Sequence, residues 1–430
     1  MEISMDISIR EQARKMKLKA PYMATASIED RNKALRYMAD AIRDNSKAIF
    51  NANNVDMGEA MNGSVPGAVL KRLKFDEGKL KSALDGIEQL IGLDDPIGRV
   101  TLHRQLDEGL VLTRISCPIG VIGVIFEARP DAMIQIASLC IKSGNCAILK
   151  GGRETRQTNK EIFKVIHEAV VKAGLPEECL FQATSHSEID ELLECYGDVD
   201  LIIPRGSNAF VRYIMDNTRI PVMGHADGIC HIYVDKAADE DMAINIIRDA
   251  KIQYTAACNA VETILVHKDI AHDFLPKLNR AMDEVGVTLK GDFASRGIIP
   301  IEAIGEEGYI EYLSLMASVK VVDDVDAAID HINSHGSHHT DSVITTDDAT
   351  AERFMQLVDS AGVYRNCSTR FADGFRYGFG AEVGISTSKL HARGPVGLDG
   401  LMTYKYTLEG SGQIVDDYAT GKKEFRFKDL

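Results

Sequence analysis

Apolar residues recur every three or four positions through most of residues 5–90, which predicts a series of α-helices. The clearest of these helices begins at Ser27, where Ser27 and Asp30 form a capping-box pattern. Leu35 and Met38 then mark its apolar face. These helices carry no side chains that suggest chemistry, and we interpret them as scaffold.

From residue 118 onward, short β-branched apolar runs alternate with helical patterns. The run at residues 118–125 is too short for a helix and is typical of a buried strand in a parallel sheet. The pattern predicts three strand–loop–helix units: strand 118–125 with helix 132–142, strand 146–149 with helix 159–173, and strand 200–203 with a short helix. Such a series predicts a doubly wound α/β domain with right-handed crossovers.

A second α/β set follows a helical segment at residues 241–251. Its strands are predicted at 261–266, 319–322 and 342–345, and its helices at 271–285, 326–332 and 349–360. At about 110 residues, this set is long enough to form a domain of its own.

Three stretches lie outside these two sets. Residues 101–117 alternate around an Asp-Glu-Gly turn, which predicts a β-hairpin, and residues 402–408 alternate as a late strand. The glycine-rich tract at 375–399 is either a ligand-wrapping loop or a linker. The polar residues 420–430 are expected to be poorly ordered.

Composition limits the classes of protein and partner. A chain of 430 residues exceeds one typical core, so two or three domains are expected. The formal charge of −15 argues against nucleic acid and against an anionic membrane surface. No apolar run is long enough to span a membrane, and residues 1–20 lack the apolar centre of a signal peptide. The eight cysteines show no CxxC spacing, so we expect reduced thiols in a cytoplasmic protein, with neither a disulfide frame nor a metal site.

Cys258 is the candidate nucleophile. It lies on a short loop between the helix at 241–251 and the strand at 261–266, beside Ala257 and Asn259. A thiol in this position can be both rigidly held and reachable, as a nucleophile must be. The alternative is a packed core cysteine, since free cysteines are among the most buried residues.

Three loops follow the strands of the first α/β set, and in such sheets ligands bind beyond the carboxyl ends of the strands. The loops are FEARPD at 126–131, KGGRET at 150–155 and PRGSN at 204–208. Backbone N–H groups at the starts of the following helices suit phosphate. No GxGxxG is present, so a nucleotide would have to be held in another way. One basic loop alone would be interpreted as solvated charge, but three such loops at the same edge of the sheet favour an anion site.

A helical start, three such units and a thiol that opens a second α/β domain resemble the aldehyde dehydrogenase superfamily. Within it, the chain is similar to the γ-glutamyl phosphate reductases (glutamate-5-semialdehyde dehydrogenases) of proline biosynthesis. The FEARPD and KLHARGP motifs are specific to this branch. The similar stretches are PIGVIGVIFEARPDA at 118–132, LIIPRGS at 201–207, GHADGICHIYVD at 224–235, CNAVETILVH at 258–267, STRFADG at 368–374 and STSKLHARGPVGLDGLMTYKY at 386–406.

The resemblance implies an aldehyde dehydrogenase-like α/β fold with two doubly wound domains and a small oligomerisation β-element. The implied parts are a cofactor-binding domain at 1–100 and 118–254, a catalytic domain at 255–374, an oligomerisation element at 101–117 and 400–415, and a ligand-wrapping segment at 375–399. A homo-oligomer, either a dimer or a tetramer, is therefore expected.

The implied reaction is the NADPH-dependent reduction of L-glutamate 5-phosphate to L-glutamate 5-semialdehyde and phosphate. A thiolate at Cys258 would displace phosphate to form a thioester, which hydride from NADPH would reduce. A glutamate 5-kinase that supplies the acyl phosphate is a candidate partner.

The family's site residues are carried over position by position. Cys258 and Asn259 match the catalytic positions, with Asn259 a candidate for the oxyanion. The implied cofactor-binding residues are Lys150, Gly206, Ser207 and Glu311, and the implied substrate-binding residues are Arg129, His225, Ser368, Thr369, Arg370 and His391. The two arginines suit phosphate and carboxylate because a guanidinium binds both bidentately. The alternatives are a surface carboxylate at Glu311 and structural roles for the two histidines.

The sequence departs from the hydrolytic members of the superfamily at two positions. Gly224 stands where those enzymes carry a water-activating glutamate, and Ala128 stands where they carry an oxyanion amide. A reductase that protects its thioester from water has no need of the glutamate. Cys367 and the Thr255–Ala256 pair also differ from the usual family residues, which bears on fine tuning of the site.

A coenzyme A-acylating aldehyde dehydrogenase and a non-catalytic scaffold are the alternative functions.

Overall fold

The computed structural model describes residues 8–63, 67–184, 187–225 and 227–430, so the first residues of the predicted helical start lie outside it. The chain divides into two compact units: unit 1 is Met1–Met223, Phe379–Gly384 and Val396–Leu430, and unit 2 is Gly224–Gly378 and Ile385–Pro395. In the part of the chain that is described, no helix has both the length and the apolar character needed to cross a membrane.

The predicted helical start of unit 1 is confirmed, including its capping box. Ser27 Oγ accepts the Asp30 backbone N–H at 3.1 Å and donates to the Asp30 carboxylate at 2.7 Å. The helices of unit 1 are α1 (Ile9–Thr25), α2 (Ile28–Asp44), α3 (Ser46–Asn62), α4 (Gly67–Leu73), α5 (Glu77–Gly92), α6 (Pro130–Ser143), α7 (Arg156–Ala173), α8 (Ser187–Leu193), α9 (Asn208–Asp216) and α15 (Val415–Ala419).

Two four-stranded sheets lie in unit 1. The strands are β1 (Val100–Asp107), β2 (Leu110–Pro118), β3 (Val121–Phe126), β4 (Cys146–Gly151), β5 (Leu180–Ala183), β6 (Leu201–Arg205), β16 (Met402–Glu409) and β17 (Lys428–Asp429). The first sheet is parallel in the order β5-β4-β3-β6, and every residue of β3 is buried, as its apolar run predicts. The predicted strand–loop–helix units therefore form a doubly wound sheet.

The second sheet of unit 1 contains the predicted hairpin. Its order is β16-β2-β1-β17, with antiparallel pairing between its strands. The expectation that residues 420–430 are poorly ordered is wrong. Lys428–Asp429 pair with β1, where Arg104 forms an ion pair with Asp429 at 2.6 Å, and Phe425 stacks on Tyr418 with ring centroids 4.4 Å apart. Aromatic stacking and edge pairing order a segment that its polarity alone did not favour.

Unit 2 contains a seven-stranded parallel sheet in the order β10-β9-β11-β8-β7-β12-β13. Its strands are β7 (Cys230–Val234), β8 (Val261–His267), β9 (Thr288–Gly291), β10 (Glu302–Ala303), β11 (Met316–Val322), β12 (Thr340–Ile344) and β13 (Gly362–Arg365). Its helices are α10 (Glu240–Ile252), α11 (Lys268–Asp283), α12 (Phe293–Arg296), α13 (Val325–His335) and α14 (Asp348–Leu357). Residues 384–396, where the chain passes between units, form the paired strands β14 (Gly384–Ser386) and β15 (Gly394–Val396).

Helices cover both faces of the sheet in unit 2 because successive strand residues point to opposite faces. Ile232 and Val234 of β7 pack with α10 and α11, whereas Tyr233 packs with α13 and α14. The resemblance implies that residues 118–254 belong to the cofactor-binding domain. The structure instead pairs β7 with β8, so β7 and α10 belong to unit 2.

Candidate active site

Three loops meet at the amino edge of the sheet in unit 2. Cys258 lies just before β8, Gly228 just before β7, and His339 just before β12. Because β8, β7 and β12 are adjacent and parallel, the loops that precede them lie side by side. The chain therefore brings Cys258 together with residues far from it in sequence.

The loop at Cys258 is held by close backbone contacts. A Cβ placed on Gly228 would lie 2.0 Å from the Cys258 carbonyl oxygen, so only glycine fits there without a shift. The Cys230 thiol also donates to this carbonyl, at 3.4 Å. Half-buried Cys258 is thus rigidly positioned at its backbone while its thiol remains partly exposed.

His339 contacts the thiol directly. Its Nε2 lies 3.2 Å from Cys258 Sγ, and its Nδ1 lies 3.0 Å from the Thr340 hydroxyl oxygen. The ring is fully buried. When Nδ1 donates to Thr340, Nε2 carries no proton and can accept one from the thiol, which is the arrangement of a thiol nucleophile beside its base.

His225 completes the cluster. Its Nδ1 lies 2.8 Å from the Ile385 carbonyl oxygen, which can only accept, so Nδ1 carries the proton. The ring meets His339 edge-on, with centroids 4.8 Å apart. One donor atom from each of Cys258, His225 and His339 lies within 4.8 Å of the others, and thiolate and imidazole are ligands that zinc prefers. These three residues could hold a metal ion.

The segment after β13 turns back towards Cys258. Asn366 has a φ of 54°, in the left-handed region that Asn tolerates, and its backbone N–H donates to Val343. Thr369 Oγ1 then donates to the Asn259 carbonyl at 2.7 Å, and Asn259 Nδ2 donates to the Ala372 carbonyl at 2.8 Å. The buried amide of Asn259 thus holds this segment against the Cys258 loop.

Arg370 and Ser368 lie on this same segment after β13. Arg370 is nearly buried and its Nε donates to Gln253 at 2.8 Å. Burial lowers the pKa of the guanidinium, and a thiolate at Cys258 acts in the opposite direction. Arg370 is therefore near enough to stabilise negative charge on the sulfur. Ser368 Oγ accepts the Arg370 backbone N–H at 3.3 Å, which caps the short helical turn.

Burial sets the other cysteines apart as unreactive thiols. It is the largest cause of a raised pKa at each of Cys117, Cys140, Cys146, Cys179, Cys195, Cys230 and Cys367. Thiols with raised pKa values stay protonated at neutral pH and are poor nucleophiles.

The residues expected to bind the cofactor lie mostly in unit 1, at the carboxyl edge of its parallel sheet. Lys150 lies near the end of β4, and Gly206 and Ser207 follow β6. Arg129, which was expected to bind the substrate, follows β3 at the same edge. Burial lowers the pKa of Lys150, whose Nζ donates to the Gly151 carbonyl at 2.8 Å. The Ser207 backbone N–H opens α9 and donates to Glu127 at 3.0 Å.

Two further expected residues lie in unit 2. Glu311 is half-buried in the segment before β11, where its charge raises the pKa of Lys251 against the larger lowering by burial. His391 is exposed, on a segment that Lys389 and Arg393 tie to Asp359.

His339 is a candidate functional residue that the sequence analysis missed. It lies 81 positions from Cys258, in a His-His pair that carries no recognisable motif spacing. The signal available in the sequence was position: His339 lies immediately before a buried strand, and Cys258 also lies shortly before one. Ligand sites of such sheets are expected at the carboxyl ends of the strands, whereas this cluster lies at the amino ends.

The aldehyde dehydrogenase family model matches residues 6–294. The γ-glutamyl phosphate reductase of Acetivibrio thermocellus is 54% identical over 421 residues, which cover 98% of each chain.

The chain belongs to the γ-glutamyl phosphate reductase branch of the aldehyde dehydrogenase family. The crystal structure of a γ-glutamyl phosphate reductase from Thermotoga maritima superposes with a TM-score of 0.91 at 36% identity, covering 94% of this chain and 99% of that one. An engineered glycolyl-CoA reductase with bound NADP+ has a TM-score of 0.63 at 15% identity, covers 93% and 96% of the two chains, and shows the fold alone. The expected fold and enzyme class, an aldehyde dehydrogenase-type oxidoreductase, are confirmed.

Proposed function

We propose that this enzyme reduces L-glutamate 5-phosphate to L-glutamate 5-semialdehyde and phosphate in proline biosynthesis, with NADPH as reductant and Cys258 as nucleophile. The observation that carries the proposal is the 3.2 Å contact between Cys258 Sγ and His339 Nε2. The names of the relatives supply the substrate.

The thiol becomes a nucleophile by giving its proton to His339. The guanidinium of Arg370 stabilises the resulting sulfur anion, because negative charge on Cys258 raises the pKa of Arg370 against the larger lowering by burial. The thiolate attacks the acyl carbon of the substrate, the carbon–oxygen bond to phosphate breaks, and a thioester remains on Cys258. The imidazolium of His339 is a source of the proton that the departing phosphate takes up.

Arg370 and Arg129 are the proposed partners of the substrate's anions, with Ser368 and Thr369 supporting the loop that carries Arg370. A guanidinium forms charge-assisted, bidentate bonds with phosphate or carboxylate. The fixed position of Arg370 Nε on Gln253 supports the proposal, because one anchored nitrogen orients the rest of the fork. We propose that His225 and His391 line the substrate site as well.

Lys150, Gly206 and Ser207 are the proposed cofactor-binding residues in unit 1, and Glu311 of unit 2 is proposed to hold the nicotinamide ribose. The donor set fits a dinucleotide. Lys150 offers a cation, and Ser207 stands at the N-cap of α9, whose first turn presents backbone N–H groups. NADPH, when bound, supplies the hydride that reduces the thioester.

We further propose that the chain works in the cytoplasm as a homo-oligomer joined through the sheet that contains β1, β2 and β16. Tyr404, Tyr406 and Leu408 of β16 are each more than half exposed, which supports burial of this strand between copies. A glutamate 5-kinase is the proposed source of the acyl phosphate. Light scattering of the purified chain tests the oligomer.

The experiment that tests the function compares two half-buried cysteines. Purified protein is assayed for NADPH formation from glutamate 5-semialdehyde, NADP+ and phosphate. Cys258→Ala should abolish turnover, whereas Cys367→Ala should retain it, because burial keeps Cys367 protonated. Coenzyme A in place of phosphate should support no turnover. Substantial activity of Cys258→Ala, or a requirement for coenzyme A, would refute the proposal.

A further inference from the structure

We propose that Cys258, His225 and His339 form a binding site for a thiophilic divalent cation of the zinc class, which blocks the nucleophile reversibly. The three residues offer one sulfur and two imidazole nitrogens within 4.8 Å of one another. They come from loops before three neighbouring strands, so no sequence spacing announces the site.

Both imidazoles have the hydrogen-bonding pattern of metal-ligating histidines. Such histidines donate their second ring nitrogen to a carbonyl, carboxylate or other acceptor, which fixes the tautomer and orients the ring. Here His225 Nδ1 donates to the Ile385 carbonyl at 2.8 Å, and His339 Nδ1 lies 3.0 Å from the Thr340 hydroxyl. In each ring this pattern makes Nε2 the ligand atom.

The spacing of the donors suits a small ion. Zinc binds sulfur at about 2.3 Å and nitrogen at about 2.0–2.1 Å, so tetrahedral neighbours are roughly 3.3–3.8 Å apart. The Cys258 Sγ to His339 Nε2 separation is 3.2 Å, and no donor pair in the cluster exceeds 4.8 Å. Closing the longest gap takes about 1 Å of movement. Cys258 and His225, which are half-buried, have room for it.

Binding occupies both groups that start the reaction. Cys258 binds as the thiolate and releases its proton to solvent, and the metal takes the lone pair of His339 that otherwise receives that proton. Magnesium and calcium prefer oxygen ligands and should not bind. Inhibition rests on the proposed role of Cys258 as nucleophile, but binding of the metal does not.

The test is titration of the full chain with zinc sulfate against a chromophoric chelator, without substrate or cofactor. We expect one zinc per chain, with affinity reduced at least about tenfold in Cys258→Ala and in His225→Gln. His339→Gln should behave alike, but its ring is fully buried, so the half-buried His225 gives the safer variant. His103→Gln, an exposed histidine on β1, is the matched control and should bind as the wild type does.

A second measurement follows alkylation of Cys258 by iodoacetamide. Zinc should slow it, EDTA should restore it, and magnesium should have no effect. Zinc affinity unchanged in both Cys258→Ala and His225→Gln, or unimpeded alkylation in saturating zinc, would overturn the site. Because neither measurement includes turnover, a failure of the proposed reaction would appear separately, as catalysis by Cys258→Ala.

Discussion

Gly228→Ala places one methyl group against the backbone that carries the nucleophile. The added Cβ would lie 2.0 Å from the carbonyl oxygen of Cys258 and 2.6 Å from its Cα. Protein Cβ atoms essentially never approach a heavy atom within 3.0 Å, so the two backbones must separate by about 1 Å. The atoms in the way are backbone, so no side-chain rotation relieves the contact.

The expected effect falls on catalysis more than on folding. A displacement of about 1 Å at a reacting group can cost about 100-fold in rate, which corresponds to about 2.7 kcal/mol. Overpacking of this kind costs about 1–3 kcal/mol of stability. Most of the chain should therefore stay folded at room temperature while its kcat falls by about two orders of magnitude.

The assay measures kcat for semialdehyde oxidation together with the thermal unfolding midpoint. Gly58→Ala is the matched control, because a Cβ on this exposed glycine of α3 meets nothing within 4 Å. It should leave kcat unchanged and stabilise the helix by about 0.5–1 kcal/mol. A Gly228→Ala enzyme with the wild-type kcat would refute the idea that this contact positions Cys258.

Three further predictions concern charged or titratable groups of unit 2. Arg370→Ala should raise the KM for the acyl substrate about 10- to 100-fold, because roughly 1.5–3 kcal/mol of anion binding is lost. A change confined to the KM for NADPH would contradict the assignment of Arg370 to the substrate site. Lys251→Met should cost about 3–5 kcal/mol in a denaturant titration, because it removes the cationic partner of fully buried Glu262, which lies 2.7 Å away. Lys251→Met/Glu262→Leu should recover much of that loss, and a single variant as stable as the wild type would contradict this expectation. Burial lowers the pKa of His331 from 6.5 to about 2 among Tyr309, His231, His335 and Lys320, so only the unfolded chain gains its proton as the pH falls below 6.5. The stability contributed by neutral His331 is complete above pH 6.5, and below it the free energy of unfolding falls by up to about 1.4 kcal/mol per pH unit. His331→Leu should flatten this slope, and equal slopes in the variant and the wild type would contradict the assignment.

Periodicity alone predicted three of the four strands of the parallel sheet in unit 1 (β3, β4 and β6) and three of the seven in unit 2 (β8, β11 and β12). A run such as 121–126 is buried at every position, and a run of this kind has few alternatives to a central parallel strand. Local chemistry also predicted the start of α2, because the Ser27 cap depends on residues three apart. Where the signal was local, the sequence was sufficient.

The missed features depend on pairing between distant strands. Nothing near His339 in the sequence reveals that β12 lies beside β7, or that β7 lies beside β8. The same pairing decides that residues 230–252 belong to unit 2. Similarly, residues 420–430 are ordered by β1, a partner some 320 residues away, as the Arg104–Asp429 pair shows. Amino-acid composition indicates that a segment is polar, but it does not indicate which edge strand the segment can pair with.

The thioester on Cys258 should be released by phosphate rather than by water, because Gly224 stands where hydrolytic aldehyde dehydrogenases carry the carboxylate that activates water. The direct measurement is the rate of NADPH formation from glutamate 5-semialdehyde and NADP+, with and without inorganic phosphate. General-base assistance is worth about 10²–10⁴-fold, so the phosphate-free rate should be a small fraction of the full rate. Equal rates in the two conditions would show that another residue activates water, and the enzyme would then be a hydrolytic aldehyde dehydrogenase.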